Sequence, residues 1–177
     1  MLQRSEYDAF EEAQALRRWK EGHQALHVYL VIINTVIGDA TEAIRFNDSP
    51  KISSCLGRLA VLYDAATATM QYSADFSPQL YENVVRPSMA PPLLPPGFSG
   101  MLNTEHCLMV AEFKNLSRAL RESYGHDTSG WPAGVAGRWA SVQLAKVENL
   151  KRHKLICSRF VAEGESLLRQ ALQSNSE

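Results

Sequence analysis

An excess of charge of one sign is missing from this chain. Across 177 residues, 18 Lys and Arg stand against 19 Asp and Glu, a formal net charge of -1. A strongly basic nucleic-acid-binding surface is therefore not expected. Cysteine is scarce: Cys55, Cys107 and Cys157 are odd in number and form no Cys-x-x-Cys pair. That argues against a disulfide framework and a zinc site of that type, and for a reducing compartment. Long apolar runs are also lacking. The longest, Val28 to Ile37, has ten residues, where a bilayer span needs about 20. The first dozen residues carry acids and no apolar stretch, unlike a signal peptide. With 10 Gly and 8 Pro the chain is neither collagen-like nor low-complexity. The expectation is a cytoplasmic protein of one domain, residues 1–177, with no nucleic-acid or membrane partner.

What is present is helical pattern. Residues 5–20 are rich in helix formers, and Gly22 is expected to interrupt them. A second helix is expected from His23 to Phe46, where Leu26, Leu30, Ile33, Ile37 and Ile44 recur at helical spacing. Ser49 and Pro50 read as the cap and first residue of a third, running to Tyr72. Ser77-Pro78 starts a short fourth, ending before Arg86-Pro87. Five of the eight prolines fall between Arg86 and Gly100. Met89, Leu93, Leu94 and Phe98 in that loop suit a segment lying against the body of the protein rather than a polar linker. A fifth helix, Met101 to Tyr124, and a long last one, Val135 to Gln173, complete the pattern. No strand pattern and no repeat interrupt it, so the fold class is all-α, a bundle of about five or six helices.

Several side chains could carry chemistry. His153 shares a helical face with Val142, Leu150, Ile156, Cys157, Phe160, Gly164 and Leu167. It reads either as a core histidine bonded to a neighbouring acceptor or as an axial ligand to iron. Cys157, four residues on, is either a small hydrophobe or a thiol placed beside the edge of a porphyrin held by His153. His23 and His27 form another i, i+4 pair, able to chelate a metal or simply to face water. Arg86 offers a planar fork for a carboxylate, or caps a helix end. Gly97, Phe98 and Ser99 lie where glycines would let the backbone approach a ligand. Glu105 before His106 reads better as a complement to a helix dipole than as a catalytic pair. Glu-x-x-His di-iron motifs, His-Glu-x-x-His, phosphate-binding loops and Gly-x-Ser-x-Gly are all absent.

Four of these pieces, in chain order, resemble the tryptophan 2,3-dioxygenase and indoleamine 2,3-dioxygenase superfamily of histidine-ligated haem proteins. They are His23-Gln24-Ala25 with Tyr29, Phe76 through Arg86, Pro96 through Ser99, and Val147 through His153. The resemblance implies haem on His153, His23 on the distal side, Arg86 on a substrate carboxylate, and Gly97, Phe98 and Ser99 lining the pocket. His153-Lys-Leu-Ile-Cys157 is similar to the His-x-x-x-Cys motif of a relative that hydroxylates a tyrosine derivative. That relative carries c-type haem through one thioether and a second ligating histidine, a role that His23 or His27 would match. The superfamily's Gly-Thr-Gly-Gly loop after the proximal helix is missing here.

The implied function is a haem-dependent oxidoreductase, an oxygenase or peroxygenase, acting on an aromatic amino acid or a derivative. The cofactor is b-type haem, or c-type through Cys157, and the assembly a homo-oligomer, dimer or tetramer. The alternatives are a non-catalytic bis-histidine haem sensor and a cofactor-free all-α interaction module.

Overall fold

A computed structural model describes residues 5–90, 92–93 and 102–160. The described residues are helical, with no strand among them. In order they form α1 (Glu6–Arg45), α2 (Ser49–Ser73), α3 (Pro78–Leu80), a π-helical turn (Tyr81–Val85), α4 (Arg86–Ser88), α5 (Thr104–Tyr124), a 3-10 turn (Thr128–Gly130) and α6 (Ala133–Phe160). None of these helices is long and apolar enough to cross a membrane.

Where the sequence suggests two helices broken at Gly22, α1 runs unbroken for 40 residues. Its start is fixed by a capping box. The Ser5 hydroxyl accepts from the Asp8 amide, and the Asp8 carboxylate accepts from the Ser5 amide. Gly22 stays helical because α2 crosses it closely: a Cβ there would lie 2.3 Å from the Ser73 Cβ. Its signal is a close approach rather than a break. The chain leaves α1 through Asn47 at φ 51, a left-handed conformation that asparagine tolerates. Asp48, not Ser49, caps α2, its carboxylate accepting from the Lys51 amide at 3.0 Å.

Ser77 caps α3 as expected, but the segment does not stop before Arg86-Pro87. Pro87 cannot donate to the carbonyl four residues back. The turn ahead of it widens, and the Arg86 amide reaches the Tyr81 carbonyl, five residues back. Asn103 caps α5, which therefore starts later than Met101. Residues 161–173, expected to extend the last helix, lie outside the described ones.

Packing follows from which faces are apolar. α2 lies alongside both α1 and α6, and α1 also packs on α5. Ile33, Val36, Ile37, Ile52, Leu56, Leu59, Leu116, Leu120, Val135 and Val142 are buried in the main core. A second cluster closes one end of the bundle: Ala15 of α1, Phe76, Tyr81, Val85 and Met89 of the middle segment, and Phe160 of α6, with Trp19 and Ile156 packed against it. Two arginines fasten the connection under this cluster. Arg18 bonds the Asp75 carboxylate at 2.6 Å, and Arg159 donates to the Phe76 carbonyl at 2.7 Å.

α5 and α6 stand apart from this close packing and meet through large side chains. Phe113 stacks on Trp139 with ring centroids 5.6 Å apart, and the Lys146 ammonium sits 4.1 Å from the Phe113 centroid. The two helices are antiparallel. Counting seven residues from the Phe113/Lys146 contact, towards the start of α5 and the end of α6, brings His106 opposite His153.

Candidate functional site

Three imidazoles, each from a different helix, lie in a row at that end of the bundle, with His153 in the middle. His153 of α6 and His106 of α5 lie within electrostatic reach of each other, and His153 and His23 of α1 do likewise. Removal from water, then the charge of His106, holds the His153 pKa below the ordinary histidine value. Contrary to the stripe expected from periodicity, His153 is not in the core. As a residue it is exposed, as are Leu150 and Cys157; Val142 and Phe160 are buried and Ile156 half-buried. The 100° turn per residue puts all these on one side of α6, but the bundle covers only part of that side. Its ring is nonetheless crowded enough for the charged form to be disfavoured.

His23 is half-buried, with a more defined setting. Its ring lies 3.6 Å, centroid to centroid, from Trp19. Its Nδ1 is 2.8 Å from the Trp19 carbonyl oxygen, which can only accept. The Nδ1 proton is thereby committed, and Nε2 carries the lone pair. Burial lowers the His23 pKa, the carbonyl bond opposes that, and His153 adds to the lowering. His27, one turn further along α1, is exposed.

From His23 the site continues through Trp19 into the second apolar cluster and so to Tyr81. Tyr81 stacks on Phe160 at 4.7 Å. Its pKa is raised by burial first; Arg86 lowers it, while Glu82 and Cys157 raise it. Arg86 and Cys157, 71 positions apart in the sequence, thus both lie near one phenol. The Cys157 thiol is itself pushed up by partial burial. Arg86 is not an open fork: its Nη1 lies 3.1 Å from Glu82 Oε1, and only 19% of its side chain is exposed. A ligand carboxylate would share or displace that contact. Gly97, Phe98 and Ser99 lie outside the described residues.

Two features were not legible as site residues. His106 looked like the companion of a dipole-complementing acid. Glu105 does lie in the first turn of α5, its carboxylate accepting from the Asn34 side-chain amide at 2.8 Å, and that bond fastens the helix carrying His106 to α1. Trp19 gave no signal, since its part is a main-chain carbonyl and a ring face. Among the described residues no three His, Cys, Asp or Glu are grouped to chelate a bare ion. The imidazoles come instead from separate helices, an arrangement that suits axial ligation of a flat prosthetic group carrying its own equatorial donors.

Comparison with known proteins adds a family. Residues 3–136 match the family described as SfmD 3-methyl-L-tyrosine peroxygenase. The match includes His23, His27, Arg86 and His106 and ends before His153 and Cys157. A curated relative, the 3-methyl-L-tyrosine peroxygenase of Streptomyces lavendulae, is 26% identical over 154 residues, or 84% of this chain. The chain spans 39% of that relative's length. No solved structure matches.

Proposed function

The chain belongs to the SfmD 3-methyl-L-tyrosine peroxygenase family, and on that premise we propose that it is a haem-dependent oxygen-transferring protein acting on a tyrosine derivative. The observation that carries the reading is that His153 lies within electrostatic reach of His106 and of His23, three imidazoles from three helices at one end of the bundle. The donor set fits the group: a neutral imidazole is the ligating form, and both His153 and His23 are held towards it. The wider relation to the tryptophan and indoleamine dioxygenase superfamily, drawn from the order of its motifs, is part of this proposal.

Bound haem would supply activation of peroxide or dioxygen for oxygen transfer to an aromatic ring. The protein's part is ligation, orientation and proton handling. His153 is the iron ligand. His23, its Nδ1 proton tied to the Trp19 carbonyl, would handle a proton at Nε2. His27 stands in reserve one turn away. Arg86 takes a substrate carboxylate in exchange with Glu82. Trp19, Tyr81 and Phe160 give the site an apolar wall of the kind an aromatic ring would pack against. Cys157, one turn beyond His153, would hold the haem through a thioether.

A second reading is favoured by His106 lying within electrostatic reach of His153: both imidazoles would hold the haem, which would then be carried without turnover. Two measurements test and separate these. The full chain loaded with haem should lose its Soret band, or show it shifted, in His153→Ala; an unchanged spectrum there would sink the haem assignment. Wild-type protein given 3-methyl-L-tyrosine and peroxide should yield a hydroxylated product, and none would be formed by a carrier. Cys157 is tested by mass: one haem mass retained on the acid-acetone-treated chain, and lost in Cys157→Ser, places the thioether.

A further inference from the structure

Lys146 is the cation that the proposed chemistry leaves unused. It lies seven residues before His153 on α6, so the two side chains share a face, about 10 Å apart along the axis. The side chain is half-buried, with its ammonium over the Phe113 ring at 4.1 Å. Among the described residues no carboxylate pairs with it. Burial first, then the nearby Lys114, lowers its pKa. A half-buried ammonium over a ring face, with no ion-pair partner among the described residues, can receive a carboxylate without breaking an existing ion pair.

It lies at the inner end of the stretch over which α5 and α6 face each other. The two helices run past each other antiparallel from Phe113/Lys146 to His106/His153. A ligand held at the imidazoles and extending inwards along α6 arrives at Lys146 with the far side of its framework. A carboxylate there would complete the charge that burial disfavours. Arg86 lies on the other side of the site, beside Tyr81, and already holds Glu82.

We propose that Lys146 is a carboxylate-binding subsite of the space between α5 and α6, holding the acidic end of a ligand whose other end lies against His106 and His153. The inference rests on the reading of this end of the bundle as the ligand site. Two sources share the chemistry: a carboxylate arm of the porphyrin and the α-carboxylate of an amino-acid substrate.

Titration of the full-length apoprotein with ferric protoporphyrin IX and with its dimethyl ester, followed by the Soret band, separates them. So does titration of the haem-loaded protein with 3-methyl-L-tyrosine and its methyl ester. If the porphyrin arm is bound, Lys146→Met weakens the free-acid porphyrin at least tenfold and leaves the dimethyl ester unchanged. If the substrate is bound, the tenfold loss moves to the amino acid and spares its ester. Lys146→Arg should recover most of either loss, and both variants are checked for native helicity by circular dichroism. Unaltered affinity of Lys146→Met for both acids, with porphyrin uptake still lost in His153→Ala, overturns this proposal alone. A wild-type chain that takes up no porphyrin overturns it together with the haem reading.

Discussion

The two sides of α6 are built on opposite rules. Towards α2 the helices come close, and small residues make that possible. Ser53 donates to the Gly134 carbonyl at 3.1 Å, and Asn149 to the Thr67 hydroxyl at 2.9 Å. At the other end of α2, Gly22 and Ser73 allow α1 to cross. Towards α5, contact is made by Phe113, Trp139 and Lys146, and further along by imidazoles. Close packing excludes ligands and supplies stability. Bulky, widely spaced contacts leave edges on which a flat group can be received. Close packing and the candidate site are thus divided between the faces of one helix, and each face can be attacked separately.

The largest effect is expected on the close side. Leu56 is fully buried among α1 and α6 residues. Leu56→Ala should cost about 2–5 kcal/mol, the lost transfer energy plus a cavity that rigid neighbours cannot refill. Urea unfolding measures it, and a cost below about 1 kcal/mol would mean that the three-helix core is loosely packed.

Tyr63 tests where the close side meets α5. Its hydroxyl is buried against the Met109 sulfur at 3.7 Å, and burial raises its pKa to about 12. The unfolded chain ionises near 10. Between these values the unfolded state holds fewer protons than the folded one, so stability must fall as pH rises. The contribution is whole below about pH 10 and lost through pH 12, about 2–3 kcal/mol at most from the 1.4 kcal/mol per unit. Tyr63→Phe should remove this alkaline loss while leaving unfolding at pH 7 close to wild type. An identical alkaline decline in both proteins would place the phenol in contact with water.

Gly22 gives a smaller effect with an informative sign. In an exposed helix Gly→Ala gains about 1 kcal/mol. Here the added Cβ meets the Ser73 Cβ at 2.3 Å and its Cα at 2.9 Å. Gly22→Ala should therefore destabilise, by about 1–3 kcal/mol, as overpacking does. Ser73→Gly should relieve part of it, since the Cα conflict remains. A stabilised Gly22→Ala would show that α1 and α2 can separate freely.

This sign reversal marks what the sequence could convey. Periodicity made the helical class and most helix identities legible, because apolar spacing and Asp, Ser and Asn caps act within a few residues. Gly22 misled because its role depends on Ser73, 51 positions away. Arg86-Pro87 misled because a widened turn absorbs the missing donor. Among the candidate site residues, His153, His23, Arg86 and Cys157 could be singled out by type and spacing, and the structure puts His153 within electrostatic reach of His23, and Arg86 and Cys157 each within reach of Tyr81. The opposition of His106 to His153 depends on how α5 and α6 are matched along their length, which no local pattern encodes. Exposure of His153 was likewise invisible: a helical face can be assigned from spacing, but not how much of it a neighbour covers.

The smallest effect belongs to the open side. Leu150 keeps 51% of its surface exposed, three residues before His153. With Val147, Lys151, Lys154, Leu155 and Ser158 it lines a shallow depression of ≈ 530 Å³ along the outer flank of α6. Leu150→Ser removes little buried area, so the stability of the isolated chain should move by no more than about 0.5 kcal/mol. Porphyrin affinity is the more sensitive readout. A group bound at the edge of α6 would lose apolar contact and weaken several-fold, whereas one seated wholly between α5 and α6 would be indifferent. A loss above about 2 kcal/mol in the unliganded chain would mean that Leu150 is covered in solution, and that the two sides of α6 are less different than their packing indicates.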